Sequence, residues 1–390
     1  MSRKKVVRDT GPRQVGKTTL LKHVLGDEYA YVTLDDINDL ELAKTDPKLF
    51  FVNYPGRLLI DEVQNAPELL MEIKRIVDAT DDRGTIILTG SQTFSLMANV
   101  SESLAGRVGI LELNGLSLRE LKSDTFHRPF IPDDSYLESR RFKMDVGTLW
   151  EFIHRGAMPE LHRNQDLDWE LFYASYVKTY LERDVRSIVN VRDLDVFSRF
   201  IRALAARTGQ LLNYHAIGSE IGINEMTVKS WIGILEASGV VVRIPVFSNN
   251  RLSRALKTPV LYFMDTGLVS YLLRWPTAET LMRGAMSGPI LETFAVSEVL
   301  KSFNNVGVTK APIYYYRDKD GREIDLIIEE EGTLYPVEIK QSATPRLEMA
   351  GHFKLLERVG YKVGNKVILS LVDKKRYLSE DVVAYPMTEI

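Results

Sequence analysis

Residues 11–18 are of the types that bind a phosphate group. Their sequence, Gly-Pro-Arg-Gln-Val-Gly-Lys-Thr, fits the pattern G-x-x-x-x-G-K-[ST] and leads into a helical pattern at residues 19–25. Glycines let the backbone curl so that successive N–H groups face an anion, and the helix N-terminus adds a favourable dipole. Lys17 would then reach the β- and γ-phosphates of a nucleotide, and the Thr18 hydroxyl would ligate Mg²⁺. The plain alternative is a glycine-bearing turn before a helix. The predicted nucleotide-binding residues of this segment are Gly11, Pro12, Arg13, Gln14, Val15, Gly16, Lys17, Thr18 and Thr19.

Two acids end the next apolar strand pattern, at residues 58–62 with the sequence Leu-Leu-Ile-Asp-Glu. Asp61 would hold the Mg²⁺ through water, and Glu62 would polarise the water that attacks the γ-phosphate. Acids at strand ends are common and are usually only solvated. Their position one strand–helix unit after the glycine-rich segment favours the catalytic roles.

Two further segments offer contacts to a triphosphate. Residues 87–92 form an apolar strand pattern that ends in polar groups at the carboxyl edge, where Thr89, Ser91 or Gln92 could sense the γ-phosphate. Arg107 precedes the next strand and could supply positive charge to a transition state, in a neighbouring subunit. A plain polar loop and an ordinary surface arginine are the alternatives.

These residues need a framework of buried strands and covering helices. Strand patterns at residues 58–60, 85–88 and 109–113 alternate with helical patterns at residues 18–25 and 67–78. Such alternation implies β-α units with right-handed crossovers. The sequence therefore predicts an α/β layer sandwich with a parallel sheet.

Two charged residues just before the glycine-rich segment run against this framework. Arg8 and Asp9 interrupt the apolar pair Val6-Val7. Charges in a central strand are costly unless they fall beyond its end. The sequence predicts either a chain that starts late or a short first strand with a less firmly held loop.

Composition limits the remaining function classes. A chain of 390 residues suggests two or three domains, and its 45% hydrophobic content can fill a core in each. The net charge of −3 argues against a protein that coats nucleic acid along its length, and the lack of cysteine excludes disulfides and thiol nucleophiles. No apolar stretch reaches the roughly 18–20 residues that span a bilayer. We expect a cytoplasmic protein without membrane contact.

The middle of the chain contains a helix-turn-helix pattern. Residues 116–190 read as polar and helical, with Ser117 and Glu120 as a capping box and residues 134–141 as a loop or weak helix. Two helices at residues 214–221 and 225–238 then flank a turn. The second helix has a predicted core face of Val228, Trp231, Ile232 and Leu235.

The surface of this pattern is weakly cationic. The second helix would present Asn224, Glu225, Lys229 and Ser230 to DNA, whereas a reading helix should carry basic and amide side chains there. The apolar run at residues 240–247 would form wing strands, and four cations near it could contact phosphates. DNA binding and a packing or protein-contact role both remain open. The four cations are Arg243, Arg251, Arg254 and Lys257.

Three strand patterns near the C-terminus are predicted to bring acidic side chains close together. They cover residues 313–317, 323–329 and 333–340, and period-2 alternation puts Glu323, Asp325, Ile327 and Glu329 on one face of the second strand. A two-residue turn at Glu331-Gly332 places Asp325 opposite Glu338 and Glu323 opposite Lys340. Two carboxylates about 5 Å apart repel each other unless a cation lies between them.

This arrangement suits metal-assisted hydrolysis of a phosphodiester. Asp325 and Glu338 would be ligands, and Lys340 would polarise a water. Glu292 projects from the apolar stripe of a predicted helix at residues 290–303 and could be a third ligand, since buried carboxylates need partners. The alternatives are a salt bridge between Lys340 and Glu323 and, for Glu292, a first-turn acid favoured by the helix dipole.

Several of these segments together resemble a prokaryotic family of AAA+ ATPases whose members carry a C-terminal domain of unknown function with a restriction-nuclease-like core. The similar segments are residues 11–20, 58–64, 88–91, 103–107, 155–160, 180–185, 257–259 and 265–268. The resemblance implies an AAA+ fold, ATP hydrolysis, the phosphate, magnesium and water-activating roles given above, and Arg107 as an arginine-finger candidate. Glu292, Asp325 and Glu338-Ile339-Lys340 resemble the PD-(D/E)xK nuclease pattern.

We therefore expect an α/β protein in four parts. These are a P-loop AAA+ three-layer sandwich at residues 1–115, a helical lid at 116–193, a winged-helix-like module at 194–258 and a nuclease-like α/β domain at 259–390. The expected function is a Mg²⁺-dependent ATPase coupled to a nuclease-like domain, with ATP and Mg²⁺ bound, DNA as a candidate partner and a homo-oligomer as a candidate assembly. The alternative is a nucleotide-switched DNA-binding protein with an inactive nuclease fold.

Overall fold

The structure is a computed structural model that describes residues 4–90, 104–181, 194–248 and 257–390. The chain divides into two compact units. The first consists of the residues up to Asn114 with two short later pieces, and the second contains most of the chain from Gly115 onward. No helix among the described residues has the length and apolar character needed to span a membrane.

A five-stranded parallel sheet forms the centre of the first unit, with the strand order β2-β3-β4-β1-β5. The strands are β1 (Val6–Thr10), β2 (Ala30–Thr33), β3 (Leu58–Asp61), β4 (Ile86–Thr89) and β5 (Val108–Glu112). The helices are α1 (Lys17–Leu25), α2 (Ile37–Thr45), α3 (Pro47–Asn53) and α4 (Leu69–Asp78), with 3₁₀ turns at Gly26–Glu28 and Val63–Asn65. The predicted parallel α/β architecture is confirmed.

Alternate residues of the strands face two separate cores. Val7, Leu59 and Ile87 pack with Leu21 of α1 on one face. On the other face a larger cluster joins the strands to α2, α3 and α4; it includes Val6, Ile60, Leu88, Ala43, Phe50, Leu70 and Ile73. The sheet is covered on both faces, as buried parallel strands require.

The expectation of a shortened first strand is wrong, because β1 contains both Arg8 and Asp9. The strand pairs with β4 on one side and β5 on the other, so the ladder hydrogen bonds use the backbone groups whatever the side chains are. Arg8 is 1% exposed and Asp9 is 4% exposed. Burial raises the pKa of Asp9 to about 6, although the charge of Lys17 opposes that rise. Burial likewise lowers the pKa of Arg8, to about 10.

Substitution of Asp9 by asparagine should therefore stabilise the protein in a pH-dependent way. A pKa that rises from 3.8 to about 6 on folding means that the ionised form destabilises the folded state above pH 6. The penalty at neutral pH is about 3 kcal/mol, a figure that already contains the attraction to Lys17. Urea unfolding should show Asp9→Asn more stable than the parent at pH 7.5, with a difference that shrinks towards zero as the pH falls through 6 to 4. An exposed aspartate of the same unit, Asp82, provides the control variant Asp82→Asn. A difference independent of pH would contradict this account of Asp9.

The second unit begins with short helices. They are α5 (Leu118–Leu121), α6 (Asp134–Ser139), α7 (Val146–Arg155), α8 (Pro159–Arg163) and α9 (Trp169–Tyr176), which continues as a π-helix at Val177–Leu181. The capping box of Ser117 and Glu120 is confirmed, and α6 lies where a loop or weak helix was expected.

The segment predicted as a lid on the nucleotide-binding core belongs to the second unit instead. Helix α7 packs against α13 (Thr266–Leu272) and α14 (Ala278–Arg283). Its buried residues are Leu149, Trp150, Phe152 and Ile153. Burial of this apolar face draws the segment towards the C-terminal elements.

Two of the motifs that carry the family resemblance meet in a buried hydrogen-bond cluster of this unit. Asp265 accepts hydrogen bonds from Ala157 N at 3.0 Å, Gly267 N at 3.0 Å and Tyr173 Oη at 2.7 Å. A Cβ on Gly156 would lie 2.2 Å from Tyr173 Oη and 2.4 Å from Asp265 Oδ1. These motifs therefore have a structural role.

The middle region has the predicted pair of helices and a small antiparallel sheet. Its elements are α10 (Leu194–Ala205), β6 (Gln210–Leu211), α11 (Tyr214–Ile221), α12 (Glu225–Ala237), β7 (Val241–Ile244) and β8 (Val260–Phe263), and the strand order is β6-β8-β7. Gly222 ends α11 in the left-handed conformation at φ 83°. The predicted core face of α12 is confirmed, since Val228, Trp231, Ile232 and Leu235 are all buried.

A seven-stranded mixed sheet forms the C-terminal region. It follows α15 (Ser287–Asn304) and has the order β14-β15-β13-β11-β10-β9, with β12 beside β11. The strands are β9 (Ile313–Arg317), β10 (Glu323–Glu330), β11 (Thr333–Lys340), β12 (Lys362–Val363), β13 (Lys366–Ser370), β14 (Arg376–Tyr377) and β15 (Val382–Pro386), with 3₁₀ segments at Leu347–Val359 and Met387–Glu389. The three strands predicted from the sequence are confirmed.

Candidate functional site

The loop between β1 and α1 has the backbone that phosphate binding needs. Gly11 has φ 141°, and a Cβ there would lie 1.9 Å from the carbonyl oxygen of Leu113. Gly16 precedes α1 in the left-handed conformation, at φ 86°. Lys17 Nζ lies within the loop and donates hydrogen bonds to the carbonyl oxygens of Gly11 at 3.1 Å and Pro12 at 2.6 Å. Burial lowers the pKa of Lys17, and the charge of Asp9 opposes that shift.

Asp61 receives three hydrogen bonds at the carboxyl end of β3. Its Oδ2 accepts from Thr18 Oγ1 at 2.9 Å and from Tyr31 Oη at 3.1 Å, and its Oδ1 accepts from the backbone N–H of Glu62 at 3.0 Å. The structure thus brings together the predicted magnesium ligands Thr18 and Asp61. The sequence did not predict the contact of Tyr31, because nothing in the residues of β2 indicates that the hydroxyl of this tyrosine bonds to a distant carboxylate.

Glu62 lies next to this cluster in a strained conformation. Its φ of 53° and ψ of 42° are left-handed, which non-glycine residues rarely adopt. Burial raises the pKa of its carboxyl group. Its carboxylate accepts a hydrogen bond from Gln64 Nε2, a residue to which the sequence assigned no role.

The remaining residues predicted to contact the triphosphate are Thr89, Ser91, Gln92 and Arg107. Ser91 and Gln92 lie outside the described residues, whereas Thr89 is buried at the end of β4. Arg107 lies just before β5, at the amino ends of the strands, whereas the loop follows the carboxyl end of β1. Its backbone oxygen accepts a hydrogen bond from the N–H of Val6, the first residue of β1. Its guanidinium pairs with Asp78 through Nε at 2.5 Å and Nη2 at 2.8 Å. Arg107 therefore does not contact the loop of its own chain.

The C-terminal strands bring Asp325, Glu338 and Lys340 together. Lys340 Nζ lies 3.1 Å from Asp325 Oδ2 and 2.6 Å from Glu338 Oε2. Asp325 Oδ2 also accepts from the backbone N–H of Ile339 at 2.8 Å. The register predicted for this hairpin is confirmed by the pairing of Leu326 with Val337. The lysine is the cation that lies between the two acids.

Two details of the predicted hairpin are wrong. Glu323 pairs with Arg317 at 2.5 Å, and Lys340 bonds to the two acids instead. A β-bulge between Ile324 and Ile327 interrupts the alternation, so these two residues contribute to the same core cluster. Bulges re-aim side chains in this way and cannot be found from a period-2 pattern.

Glu292 lines a cavity of about 360 Å³ together with Asp325 and Glu323. Its Oε1 accepts a hydrogen bond from Tyr262 Oη at 2.5 Å. Burial and the charge of Asp325 raise the pKa of Glu292 to about 8, and the same two causes raise that of Glu338 to about 8. Within the described ranges, no three histidine, cysteine, aspartate or glutamate side chains form a group that could hold a metal ion. The acids therefore make a pair, Asp325 and Glu338, with Glu292 bound to Tyr262.

Two of the three predicted cations that the structure describes in the middle region form ion pairs. Lys229 Nζ lies 2.7 Å from Glu225 Oε1, and Arg243 pairs with Glu236. Arg251 and Arg254 lie outside the described residues, and Lys257 is exposed.

Comparison with protein families supports the assignment of the N-terminal loop. Residues 3–122 match the family model described as an AAA domain. This part of the chain is similar to AAA domains, and we refer to residues 3–122 as the AAA domain. Residues 146–279 and 287–390 match two families that are each described as a domain of unknown function, DUF8612 and DUF4143. The AAA domain thus contains the loop, Asp61 and Glu62, whereas the acidic pair lies in the last of these regions.

Two curated relatives span the whole chain. Uncharacterized proteins of Mycobacterium tuberculosis and Mycobacterium bovis are each 27% identical over 391 aligned positions, covering 100% of this chain and 82% of theirs. Their names assign no activity.

Solved structures overlap with the chain only loosely. A single-residue variant of RuvB from Thermotoga maritima is 16% identical with a TM-score of 0.25, over 62% of this chain and 82% of its own. A signal-transduction ATPase with a tetratricopeptide-repeat sensor from Pyrococcus horikoshii is 11% identical with a TM-score of 0.20, over 78% and 46%. TM-scores this low do not establish a shared fold.

Proposed function

We propose that the AAA domain binds ATP with Mg²⁺ and hydrolyses it. The observation that carries this proposal is the hydrogen bond of 2.9 Å between Thr18 and Asp61. It lies next to the loop whose conformation depends on Gly11 and Gly16 and which surrounds the amine of Lys17. The residues fit the ion, because a hydroxyl and a carboxylate are the hard oxygen ligands that Mg²⁺ prefers and a nucleotide's phosphates complete such sites. Thr18 and Asp61 would hold Mg²⁺, which would supply positive charge to offset the negative charge that develops during hydrolysis.

We assign the remaining predicted residues the following roles. The loop amides and Lys17 bind the β- and γ-phosphates. Glu62 orients and polarises the attacking water. From its sequence position alone, after the strand pattern that ends at residue 89, Ser91 is proposed to sense the γ-phosphate. Arg107 would act only on a nucleotide of a neighbouring copy, because it lies at the far edge of its own sheet. Its use as an arginine finger therefore requires a homo-oligomer.

ATP turnover should depend on Lys17 and Glu62 in different ways. Lys17→Ala removes a phosphate contact and should abolish both nucleotide binding and hydrolysis. Glu62→Gln keeps the shape but removes the base, so kcat should fall by roughly 10²–10⁴-fold while ATP still binds. Phosphate release measured with Mg²⁺ tests both variants, with the exposed residues Lys44→Ala and Glu68→Gln as matched controls. Unchanged turnover in Lys17→Ala and Glu62→Gln would refute the proposal.

We propose a second activity, metal-dependent cleavage of nucleic acid, for the C-terminal domain. It is supported by the contacts of Lys340 with Asp325 and Glu338. Mg²⁺ is commonly bound through one or two carboxylates plus substrate phosphates, so this pair suits it without a third protein ligand. Asp325 and Glu338 would hold the ion, and Lys340 would orient and polarise a water. Glu292, which was expected as a further ligand, accepts a hydrogen bond from Tyr262 and lines the same cavity as Asp325.

Cleavage of single- or double-stranded DNA or RNA should require Mg²⁺ or Mn²⁺ and should be lost in Asp325→Ala and in Lys340→Ala. Gel analysis of labelled substrates, with ATP present, provides the measurement, and the exposed residue Lys319→Ala provides a matched control. If the parent protein cleaves none of these substrates, the proposal of a nuclease activity is wrong.

The alternative function is a nucleotide-switched DNA-binding protein with the middle region as its surface. The order of helices and strands from α10 to β8 supports a winged-helix interpretation. The ion pairs of Lys229 and Arg243 weaken its capacity to bind phosphates.

Duplex DNA titrated at several salt concentrations distinguishes the alternatives. A DNA-binding surface that uses several phosphate contacts should lose affinity steeply with salt, by about one log unit per log unit of salt for each contact. Because Lys229 and Arg243 are already in ion pairs, we expect a shallow slope. A steep slope that ATP changes would favour the switch over the ATPase-driven nuclease.

A further inference from the structure

Gln64 is half-buried beside the proposed catalytic base, Glu62. Gln64 follows Glu62 by two residues, in the 3₁₀ turn Val63–Asn65, and its Nε2 donates to Glu62 Oε2. The turn is closed by a hydrogen bond of 2.9 Å from Asn65 N to the carbonyl oxygen of Glu62. The side chain of Gln64 thus folds back over the residue that starts its own turn.

The backbone at Glu62 is strained in the same place. A non-glycine residue at φ 53° is disfavoured and persists only when its surroundings fix it. The N–H of Glu62 is held by Asp61 Oδ1 at 3.0 Å, and its side chain is held by Gln64. The strained conformation therefore ties the direction of the Glu62 carboxylate to the end of β3.

Gly90 provides the space that the amide of Gln64 occupies. A Cβ on Gly90 would lie 2.1 Å from Gln64 Oε1 and 3.1 Å from Gln64 Cδ. Gly90 does not have a positive φ, so a larger residue here would displace the Gln64 amide without straining the backbone. The carboxyl end of β4 and the carboxylate of Glu62 hold the amide between them.

We propose that Gln64 is a positioning residue for ATP hydrolysis. Its amide, which packs against Gly90, orients the Glu62 carboxylate towards the nucleotide loop. This inference rests on the proposed ATPase function, since it gives Glu62 the role of base. A general base acts only within hydrogen-bond reach of its proton, and a displacement of about 1 Å can cost of order 100-fold in rate. Loss of the amide should therefore affect the chemical step and leave nucleotide binding unchanged.

Steady-state kinetics of the full chain with Mg²⁺ and ATP test this role. Gln64→Ala and the similarly shaped Gln64→Met should each lower kcat by about tenfold or more with an unchanged KM for ATP. Gly90→Ala should reproduce the effect by displacing the same amide. The double variant Gln64→Ala/Gly90→Ala should be no slower than the slower single variant, because both changes remove one interaction.

Asn65→Ala is the matched control, because Asn65 lies in the same turn but donates to the carbonyl oxygen of Leu34. It should leave kcat at the parent value. Wild-type or raised kcat in both Gln64 variants, or a rise in KM alone, would overturn the inference. Glu62→Gln and Lys17→Ala separate the inference from the proposed function. If Glu62→Gln loses turnover while the Gln64 variants do not, the ATPase stands and the inference falls. If Glu62→Gln retains turnover, Glu62 is not the base and the inference falls, whereas the ATPase proposal itself falls only if Lys17→Ala retains turnover as well.

Discussion

The carboxylate of Asp61 is the interaction on which the nucleotide site depends. It ends β3 and accepts hydrogen bonds from α1 through Thr18, from β2 through Tyr31 and from its own neighbour Glu62. Three elements that are separate in the sequence therefore meet at one group. Parallel strands place their carboxyl ends at the same edge, so this meeting is a consequence of the sheet order.

The strand that leads into the nucleotide loop, β1, contains buried charged residues that cost electrostatic free energy. Arg8 and Asp9 are buried in β1, and two nitrogens of Arg8 have no hydrogen-bond partner among the described residues. Unpaired buried charge destabilises a fold. The central position of β1, between β4 and β5, outweighs that cost because its backbone ladder is satisfied on both sides. Asp9 and Lys17 also attract each other, which connects the strand to the loop.

Sequence patterns predicted the elements better than the contacts between them. The loop and its glycines, the acids at the end of β3, the helix pair of the middle region and the register of β10 with β11 all follow from local chemistry or from strict periodicity. Patterns of this kind do not reveal a bulge, which is why Ile327 was placed on the wrong face.

Long-range packing decided the remaining features. The segment expected as a lid joins the second unit because α7 buries its apolar face there. Tyr31, Gln64 and Tyr262 became candidates only once their hydroxyl or amide groups were located beside Asp61, Glu62 and Glu292. A sequence gives no sign of such partners, because any tyrosine or glutamine can satisfy a distant carboxylate.

The central claim is that the loop and Asp61 form one site for a nucleotide and its metal ion. Isothermal titration calorimetry of the full chain with ATP, in Mg²⁺ and again in excess EDTA, tests it most directly. The account predicts saturable binding of one ATP per AAA domain that is clearly tighter with Mg²⁺ than in EDTA. Absence of binding by folded protein, or equal affinity under both conditions, would contradict it.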